Sequence, residues 1–291
     1  MITSLVRKNI SIKPWTTFKV GGIVKYFAEP QSIDEIKALH SWTLLQKLPV
    51  FILGKGSNVV VSDRGFPGLI IHLGKSFSQW QISGNKIKAQ AGCLLNKVVA
   101  EAIKTDLSGI ELLAGIPGTV GGGTYINAGA YGQELKQIIT TVSSLNSRGQ
   151  VIKRQNHECN FAYRNSIFTQ NHEWILEVEM ALTPNSGRDL RKIMQKNLKK
   201  RKDQQPIEFP NAGSMFKRPE NNFAGALIEK AGLKGLQMGK AQVSHKHANF
   251  IVNLGGATAQ DIWDLSEKVI AKVKTHSSIV LEREVIFLGE F

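Results

Sequence analysis

The residues of this chain whose type and spacing most suggest chemistry are the glycines between positions 115 and 132. The segment reads GIPGTVGGGTYINAGAYG, with seven glycines in eighteen positions. Glycine costs about 0.5–1 kcal/mol relative to alanine in ordered backbone, because it loses the most conformational freedom on folding. A cluster of this kind indicates that main-chain N–H groups approach a ligand. The usual ligand of such groups is a phosphate or diphosphate.

A second, shorter glycine segment lies upstream. The apolar run at 48–53 leads into Gly54-Lys55-Gly56-Ser57-Asn58, and three valines follow at 59–61. The segment lacks the GxxxxGK[ST] spacing of a P-loop and the third glycine of GxGxxG, and the valines predict a strand where both motifs need a helix. Two glycine segments in one chain favour one large phosphate-bearing ligand. A pair of tight turns without a ligand is the alternative.

Composition limits the class of protein. The 291 residues predict two or three domains, and 37 Lys and Arg against 23 Asp and Glu give a net charge of +14, which favours an anionic partner. Cys93 and Cys159 form no CxxC pair and no Cys/His cluster, as is typical of a reducing compartment. We find no apolar segment of signal-peptide length and none near the ~20 residues of a membrane span, so a cytoplasmic protein is expected.

The elements that must position these segments are mixed in type. Up to about Pro184, short β-rich runs alternate with glycine turns and a few helices, so the region is predicted to be α+β. Ser32 is the predicted N-cap of one helix, and 94–103 form another. The predicted strands cover 69–73, 82–91, 138–145 and 174–182.

The composition changes after about residue 186. Residues 188–202 form a strongly basic amphipathic helix, which is either a solvated surface or a helix whose C-terminal end contacts phosphate. Its Lys196–Lys202 run also motivates a second hypothesis, a nucleic-acid-binding protein. Against that hypothesis, the chain lacks an RNA-binding motif with aromatic residues, and nucleic-acid binding does not explain the glycines at 115–132. Beyond it we predict a helix at 223–231 closed by Gly232, a strand at 248–253, and a helix from Thr258.

Seven segments, taken together and in order, resemble the UDP-N-acetylenolpyruvoylglucosamine reductases, flavoenzymes of bacterial peptidoglycan precursor synthesis. The segments are LGKGSN (53–58), GIPGTVGGGTYINAGAYG (115–132), YRNSIF (163–168), PNAGSMFKRP (210–219), FAGALIEKAGLKG (223–235), HANFIVN (247–253) and LEREVIFLG (281–289). The resemblance implies an α+β fold with an FAD-binding domain of the vanillyl-alcohol-oxidase (PCMH) type in two subdomains, 1–72 and 73–186. It also implies a substrate-binding α+β domain at 187–280, followed by a terminal strand at 281–291 that returns to the flavin site.

The resemblance also implies the reaction. FAD takes a hydride from NADPH and passes it to the enolpyruvyl group of UDP-N-acetylglucosamine enolpyruvate, which gives UDP-N-acetylmuramate. Ser214 matches the proton donor, Arg164 the group that binds the developing negative charge, and Glu284 the third catalytic position. Glu282 lies on the same strand face as Glu284 and is the runner-up. Without the resemblance, Ser214 would be read as a turn hydroxyl and Arg164 as half of a surface ion pair.

The binding residues follow from the same match. The expected partners are the UDP-sugar and NADPH, with no nucleic acid, and the oligomeric state stays open. Lys217 and Arg218 are expected at the diphosphate of the substrate, and His247 near the substrate. An ordinary histidine remains the alternative for His247, and no metal is expected because the H-x-H pair with His245 lacks a third ligand. Non-covalent FAD is expected to be held by Gly54, Lys55, Gly56, Ser57, Asn58, Ile116, Pro117, Gly118, Thr119, Gly122 and Ala128.

One departure defines a subtype. Some members carry an insertion with a tyrosine that closes over the substrate after the YRNS-like segment. Here residues 167–173 run directly into the strand that begins at Trp174. The chain therefore resembles the shorter subtype without that tyrosine lid.

Overall fold

The computed structural model describes residues 2–291. Its α-helices are α1 Ile33–Leu45, α2 Leu95–Lys104, α3 Val120–Tyr125, α4 Ile167–Asn171, α5 Leu190–Gln204, α6 Ala224–Lys230 and α7 Ala259–Ser277. Its strands are β1 Val6–Ser11, β2 Ile23–Ala28, β3 Val50–Leu53, β4 Val59–Val61, β5 Phe66–His72, β6 Trp80–Ser83, β7 Lys86–Gln90, β8 Leu107–Ser108, β9 Gly129–Ala130, β10 Gln133–Glu134, β11 Ile139–Leu145, β12 Val151–Gln155, β13 Trp174–Ala181, β14 Thr183–Pro184, β15 Gln237–Met238, β16 Ala241–Val243, β17 Ile251–Asn253 and β18 Ile286–Leu288. Short 3₁₀ helices cover Ile2–Ser4, Lys13–Trp15, Lys75–Phe77, Glu111–Leu113, Leu135–Gln137 and Asn156–Cys159.

The chain divides into two compact units, each built from separate stretches of sequence. The first holds the chain up to Arg7 together with Phe27–Lys55 and Leu69–Arg201. The second holds Lys8–Tyr26, Gly56–Gly68 and Lys202–Phe291. A four-stranded sheet has the order β1-β2-β5-β3.

The first unit is organised around a five-stranded antiparallel sheet of order β12-β11-β13-β7-β6. Its central strand β13 alternates buried and partly buried side chains along most of its length, as a strand covered mainly on one face requires. Helix α2 is amphipathic and buries Leu95, Val98, Val99, Ala102 and Ile103, while its polar residues face outward. The sheet and this helix supply the framework on which the glycine-rich segment lies.

The second unit packs α6 and α7 with the small antiparallel sheet β15-β16-β17. Its core includes Phe18, Met215, Phe216 and Ile262, all at most 2% exposed. The terminal strand β18 pairs in parallel with β4, so that Phe287 lies opposite Val60. Residues 286–288 therefore lie beside the strand that follows the first glycine segment.

The predicted α+β class and several element ends are confirmed. The Ser32 hydroxyl accepts from the Glu35 amide at 3.2 Å and begins α1. At α7, the Thr258 hydroxyl accepts from the Asp261 amide at 2.9 Å, and the Asp261 carboxylate accepts from the Thr258 amide, which completes a capping box. Gly232 follows α6 with a φ of 71°, as a glycine that ends a helix does.

Two strand predictions are wrong in extent. The strand predicted over 82–91 is a hairpin of β6 and β7, because Gly84 turns the chain with a φ of 57°. The strand predicted over 248–253 covers only Ile251–Asn253. Gly84 interrupts the first of these segments, and Asn249, whose side chain bonds to Phe216, lies in the part of the second that is not a strand.

The two units also differ from a division by consecutive residues. The change in composition near residue 186 suggests a boundary there, whereas the structure keeps α5 in the first unit as far as Arg201. The functional domain bounds at 72, 186 and 280 stay a prediction. Across residues 2–291, none of the helices combines the length and the apolar character that a bilayer crossing requires.

Candidate functional site

The two glycine segments meet in the first unit, at Gly54 and Thr119. A Cβ atom built on Gly54 would lie 2.4 Å from the Thr119 hydroxyl oxygen, so no other residue fits at position 54 without movement. That hydroxyl also accepts from the Gly122 amide at 3.2 Å and caps α3. The convergence of the two segments, expected from the sequence, is therefore seen at these residues.

Packing within the protein explains several glycines of the second segment. A Cβ on Gly121 would lie 2.6 Å from the Ala91 Cβ, one on Gly123 would lie 2.8 Å from Leu135, and one on Gly129 would lie 2.5 Å from the Gln133 carbonyl oxygen. Gly122 differs, because it is exposed and a Cβ there would contact only its own cap residue, Thr119, at 3.4 Å. The segment therefore serves close packing at most of these positions and leaves an open backbone at Gly122.

The segment that carries Arg164 is tied to the glycine-rich segment. The buried Ser166 hydroxyl donates to the Tyr125 carbonyl at 2.6 Å, and the Asn127 side-chain amide donates to the Ala162 carbonyl at 3.0 Å. Arg164 adopts a φ of 52°, and its guanidinium lies 5.2 Å from the Tyr163 ring. A positive φ is uncommon for a residue with a long side chain and marks a backbone fixed by its surroundings.

The amides of residues 54–58 form a donor set suited to an anion. Among residues 2–291, none accepts a hydrogen bond from the backbone amide of Gly54, Lys55, Gly56, Ser57 or Asn58. Successive unpaired amides in a turn provide several N–H donors for phosphate oxygens. The donor chemistry of this turn therefore fits the diphosphate of a dinucleotide such as FAD.

The second unit brings the end of this turn to the PNAGS segment. The Thr17 amide donates to the Gly56 carbonyl at 3.0 Å. The Thr17 hydroxyl donates to the Asn211 carbonyl at 2.6 Å and lies 3.2 Å from the Gly56 carbonyl. The Asn58 side-chain amide donates to the Glu284 carbonyl at 3.1 Å. Residues 56–58, 211–214 and 284 therefore share one hydrogen-bonded region.

Ser214 and Glu284 lie on neighbouring antiparallel segments of that region. Phe216 pairs with Arg283, and the Lys217 amide donates to the Glu282 carbonyl at 2.8 Å. The amides of Glu284 and Val285 both approach the Met215 carbonyl, at 2.8 and 3.5 Å, which is the pattern of a β-bulge. The bulge therefore lies where the Glu284 segment pairs with the segment of Ser214.

The structure separates Glu284 from its runner-up. Glu282 forms an ion pair with Lys217 at 2.5 Å, and its side chain is 72% exposed. Glu284 is partly buried and lies at the bulge. Glu282 is therefore a surface partner of Lys217, and Glu284 stays the candidate for the third catalytic position.

The remaining predicted residues also belong to the second unit. The exposed Arg218 guanidinium lies 4.0 Å from the Phe223 ring. His247 is partly buried, and its ring meets the Phe250 ring edge-on at a centroid distance of 4.8 Å. Within the part of the chain that the structure describes, no three His, Cys, Asp or Glu side chains are grouped to hold a metal ion.

Asn249 is a residue of this region that the sequence reasoning missed. Its main-chain oxygen accepts a hydrogen bond from the Met215 amide at 2.7 Å, and its side-chain Oδ1 accepts one from the Phe216 amide at 3.0 Å. Its Nδ2 donates to the Phe216 carbonyl at 2.9 Å. The available signal was a polar residue between the apolar Ala248 and Phe250, because a buried amide needs partners. Asn249 therefore holds the segment that presents Ser214.

We expect Asn249→Ala to destabilise the second unit by about 1–3 kcal/mol, since it leaves buried polar groups of Phe216 without partners. Chemical denaturation followed by circular dichroism measures the loss. Asn222→Ala is the matched control, because the bond from Asn222 to the Glu220 carbonyl is exposed and 3.3 Å long. Equal stability of the two variants would contradict the role of Asn249.

His247 is expected to be neutral at physiological pH, since burial lowers its pKa from the ordinary value. Its Nδ1 accepts from the Asn249 amide at 3.3 Å, so the proton lies on Nε2. NMR titration of the imidazole should therefore give a midpoint below pH 6.5. At pH values above that midpoint, the neutral ring should be the Nε2–H tautomer. A midpoint at or above 6.5, or the other tautomer, would contradict this geometry.

Comparison with known proteins identifies the family. Residues 205–288 match the model of the UDP-N-acetylenolpyruvoylglucosamine reductase C-terminal domain, and residues 24–154 match that of an FAD binding domain. The UDP-N-acetylenolpyruvoylglucosamine reductase of Clostridium novyi is 41% identical over 98% of this chain and 92% of its own length. That of Carboxydothermus hydrogenoformans is 42% identical over 99% and 96%.

A solved structure agrees in fold. The crystal structure of the UDP-N-acetylenolpyruvylglucosamine reductase (MurB) from Thermus caldophilus has a TM-score of 0.84 and 32% identity, and the match covers 98% of this chain and all of that one. The family expected from the seven segments is thereby confirmed, and so are its α+β fold and its use of FAD. The chain belongs to the UDP-N-acetylenolpyruvoylglucosamine reductase family of FAD-dependent oxidoreductases.

Proposed function

We propose that this protein reduces the enolpyruvyl group of UDP-N-acetylglucosamine enolpyruvate with NADPH and forms UDP-N-acetylmuramate for peptidoglycan synthesis. The observation that carries the proposal is the bulged pairing of Glu284 against the segment of Ser214. This pairing supports the proposal because it joins the backbone segments that carry the hydroxyl and the carboxyl group of the family pattern.

FAD, when bound, supplies the hydride that it has taken from NADPH, and the hydride goes to the methylene carbon of the enolpyruvyl group. Negative charge then develops on the adjacent carbon and its carboxylate. We assign the proton that completes the reduction to the Ser214 hydroxyl, and its delivery to that adjacent carbon. Asn249 and the bulge at Glu284 keep the Ser214 segment in place for this transfer.

Arg164 is assigned to the developing charge. A guanidinium is always cationic and can hold a carboxylate by two parallel hydrogen bonds. The positive φ of Arg164 and the anchoring of its segment at Tyr125 and Asn127 fix where the side chain starts. Preorganised donors of this kind stabilise charge in the transition state without reorganisation.

Glu284 beside an accumulating negative charge is useful only when it is protonated or when it orients neighbouring groups. We assign it the second role, because the bulge places its backbone between the Asn58 amide and the Met215 carbonyl. Lys217 and Arg218 are proposed at the diphosphate of the substrate, and His247 as a neutral Nε2–H donor near it. In free protein Lys217 is paired with Glu282, so substrate phosphate would compete with that exposed carboxylate.

The cofactor is tested by colour. Purified protein should be yellow, with flavin absorbance near ~450 nm that NADPH bleaches. Denaturation should release the flavin into solution, since non-covalent binding is proposed. Colourless protein that cannot be reconstituted with FAD would contradict the proposal, as would flavin that stays on the denatured chain.

A further inference from the structure

Arg201 is a cationic residue of the first unit to which no function has been assigned above. It lies near the end of α5, and its side chain lies on the backbone of Gly115, where the glycine-rich segment begins. A Cβ on Gly115 would be 2.9 Å from the Arg201 Cδ, 3.7 Å from Nη1 and 3.8 Å from Nε. A side chain at position 115 would therefore force the arginine side chain to shift.

The surroundings of Arg201 lack a negative partner. The guanidinium is partly buried, and burial lowers its pKa from the ordinary value. In the range 2–291 no carboxylate forms an ion pair with it, and Tyr131 is the one titratable neighbour that favours its charge. A guanidinium withdrawn from water without an anion is unfavourable, so the position calls for a negatively charged ligand.

The side chains around Arg201 also favour a negatively charged ligand. Lys200 on the same helix lies 5.3 Å from the Tyr131 ring, and the Tyr131 hydroxyl donates to the Asn197 carbonyl at 3.4 Å. The end of α5 therefore lies against both ends of the glycine-rich segment, at Gly115 and at Tyr131. The basic residues of α5 repel one another, and an oxyanion at Arg201 would relieve part of that repulsion.

We propose that Arg201 binds the diphosphate of FAD beside Gly115. The inference rests on FAD as the cofactor of the family. The diphosphate is the part of FAD that carries permanent negative charge in every redox state, and a planar guanidinium can bind two of its oxygens at once. The proposal gives the basic helix α5 a function at its C-terminal end and leaves its remaining lysines as a solvated surface.

The test compares Arg201→Gln with Arg191→Gln in full-length apoprotein. Arg191 lies on the same helix and is exposed, so both variants lose one positive charge from α5. FAD binding is followed by the quenching of flavin fluorescence. We expect the Kd for FAD to rise at least tenfold in Arg201→Gln and to stay within twofold of wild type in Arg191→Gln. Equal affinities of the two variants would overturn the proposal.

Two further measurements identify the oxyanion. The midpoint potential of bound FAD should be the same in Arg201→Gln as in wild type, because a diphosphate contact is independent of the redox state. A shifted potential would place Arg201 at the flavin ring and overturn the assignment. The KM for NADPH should also be unchanged. A raised KM for NADPH with normal FAD affinity would assign the site to a phosphate of NADPH instead.

Arg201→Lys keeps the charge and protects the test from a folding defect. A lysine cannot make two parallel bonds, so we expect a rise in the Kd for FAD of about three- to tenfold. Apoprotein melting temperatures of both Arg201 variants should match wild type. If Arg201→Gln fails to fold, the lysine variant decides: wild-type FAD affinity in folded Arg201→Lys overturns the diphosphate contact. A failure of wild-type protein to bind FAD would instead reject the cofactor itself.

Discussion

Ser214→Ala is expected to lower kcat for reduction of the enolpyruvyl substrate by about 10²–10⁴-fold, while reduction of the flavin by NADPH keeps its rate. The range is what loss of a general acid usually removes, and it corresponds to about 3–5 kcal/mol of transition-state stabilisation. The two half-reactions separate because the hydroxyl acts only after hydride has reached the substrate. Stopped-flow absorbance near ~450 nm measures both half-reactions in one preparation.

Ser83→Ala is the control for this variant, because Ser83 is exposed at the end of β6 in the first unit. It should leave both half-reactions unchanged. If Ser214→Ala also transfers hydride to substrate at the normal rate and gives the full product, the role proposed for Ser214 is wrong. If both half-reactions fail together, the variant has disturbed the site as a whole and the selective role of the hydroxyl is equally rejected.

Arg164→Gln is expected to lower kcat by about 10²–10³-fold, the usual consequence of removing one preorganised donor from a developing negative charge. Arg164→Lys should recover only part of the loss, since an ammonium group cannot bind a carboxylate by two parallel bonds. Steady-state kinetics with the enolpyruvyl substrate measures both variants. The apoprotein melting temperature should change little, because the anchoring bonds of the segment come from Ser166 and Asn127.

Arg148→Gln is the matched control for Arg164, since Arg148 is exposed in a turn of the first unit. It removes the same charge without touching the proposed site and should leave kcat unchanged. A normal kcat in Arg164→Gln would contradict the assignment of Arg164 to the developing charge. A rise in KM alone would show that the guanidinium binds the substrate before the reaction and adds nothing to the transition state.

Local signals in the sequence predicted much of the fold. Ser32 and Thr258 begin helices because their hydroxyls satisfy amides within the next turn, and this information is contained in a few neighbouring residues. The hairpin of β6 and β7 was missed, although Gly84 lies between them, because an apolar and polar alternation continues on both sides. Helix α5 was predicted correctly, whereas its place in the first unit, where it contacts Gly115 and Tyr131, was not.

The site was predictable as a set of segments and not as a geometry. The family match gave Ser214, Arg164 and Glu284, with Glu282 as the runner-up, but the bulge at Glu284 and the ion pair of Glu282 with Lys217 are seen only in the structure. Thr17 and Asn249 join residues that are far apart in sequence. Such contacts depend on tertiary packing, which no local pattern of residues encodes.

For the glycine-rich segment, the sequence suggested more contact with a ligand than the structure leaves room for. The cluster of seven glycines suggested a ligand, whereas a Cβ atom at Gly121, Gly123 or Gly129 would collide with Ala91, Leu135 or Gln133 of the protein itself. The composition shows that the segment has few side chains, but it does not show whether a ligand or another part of the protein packs against each glycine. The open position at Gly122 and the unpaired amides of residues 54–58 are the parts that the structure leaves to a ligand.

The central claim is that this protein passes hydride from NADPH, through FAD, to an enolpyruvyl UDP-sugar. The most direct test reduces the protein with NADPH under strict exclusion of oxygen and then adds UDP-N-acetylglucosamine enolpyruvate. We predict that flavin absorbance near ~450 nm returns at once and that the sugar product contains two more hydrogen atoms than the substrate. Protein that stays bleached with the sugar and regains its colour only when oxygen is admitted would contradict the account.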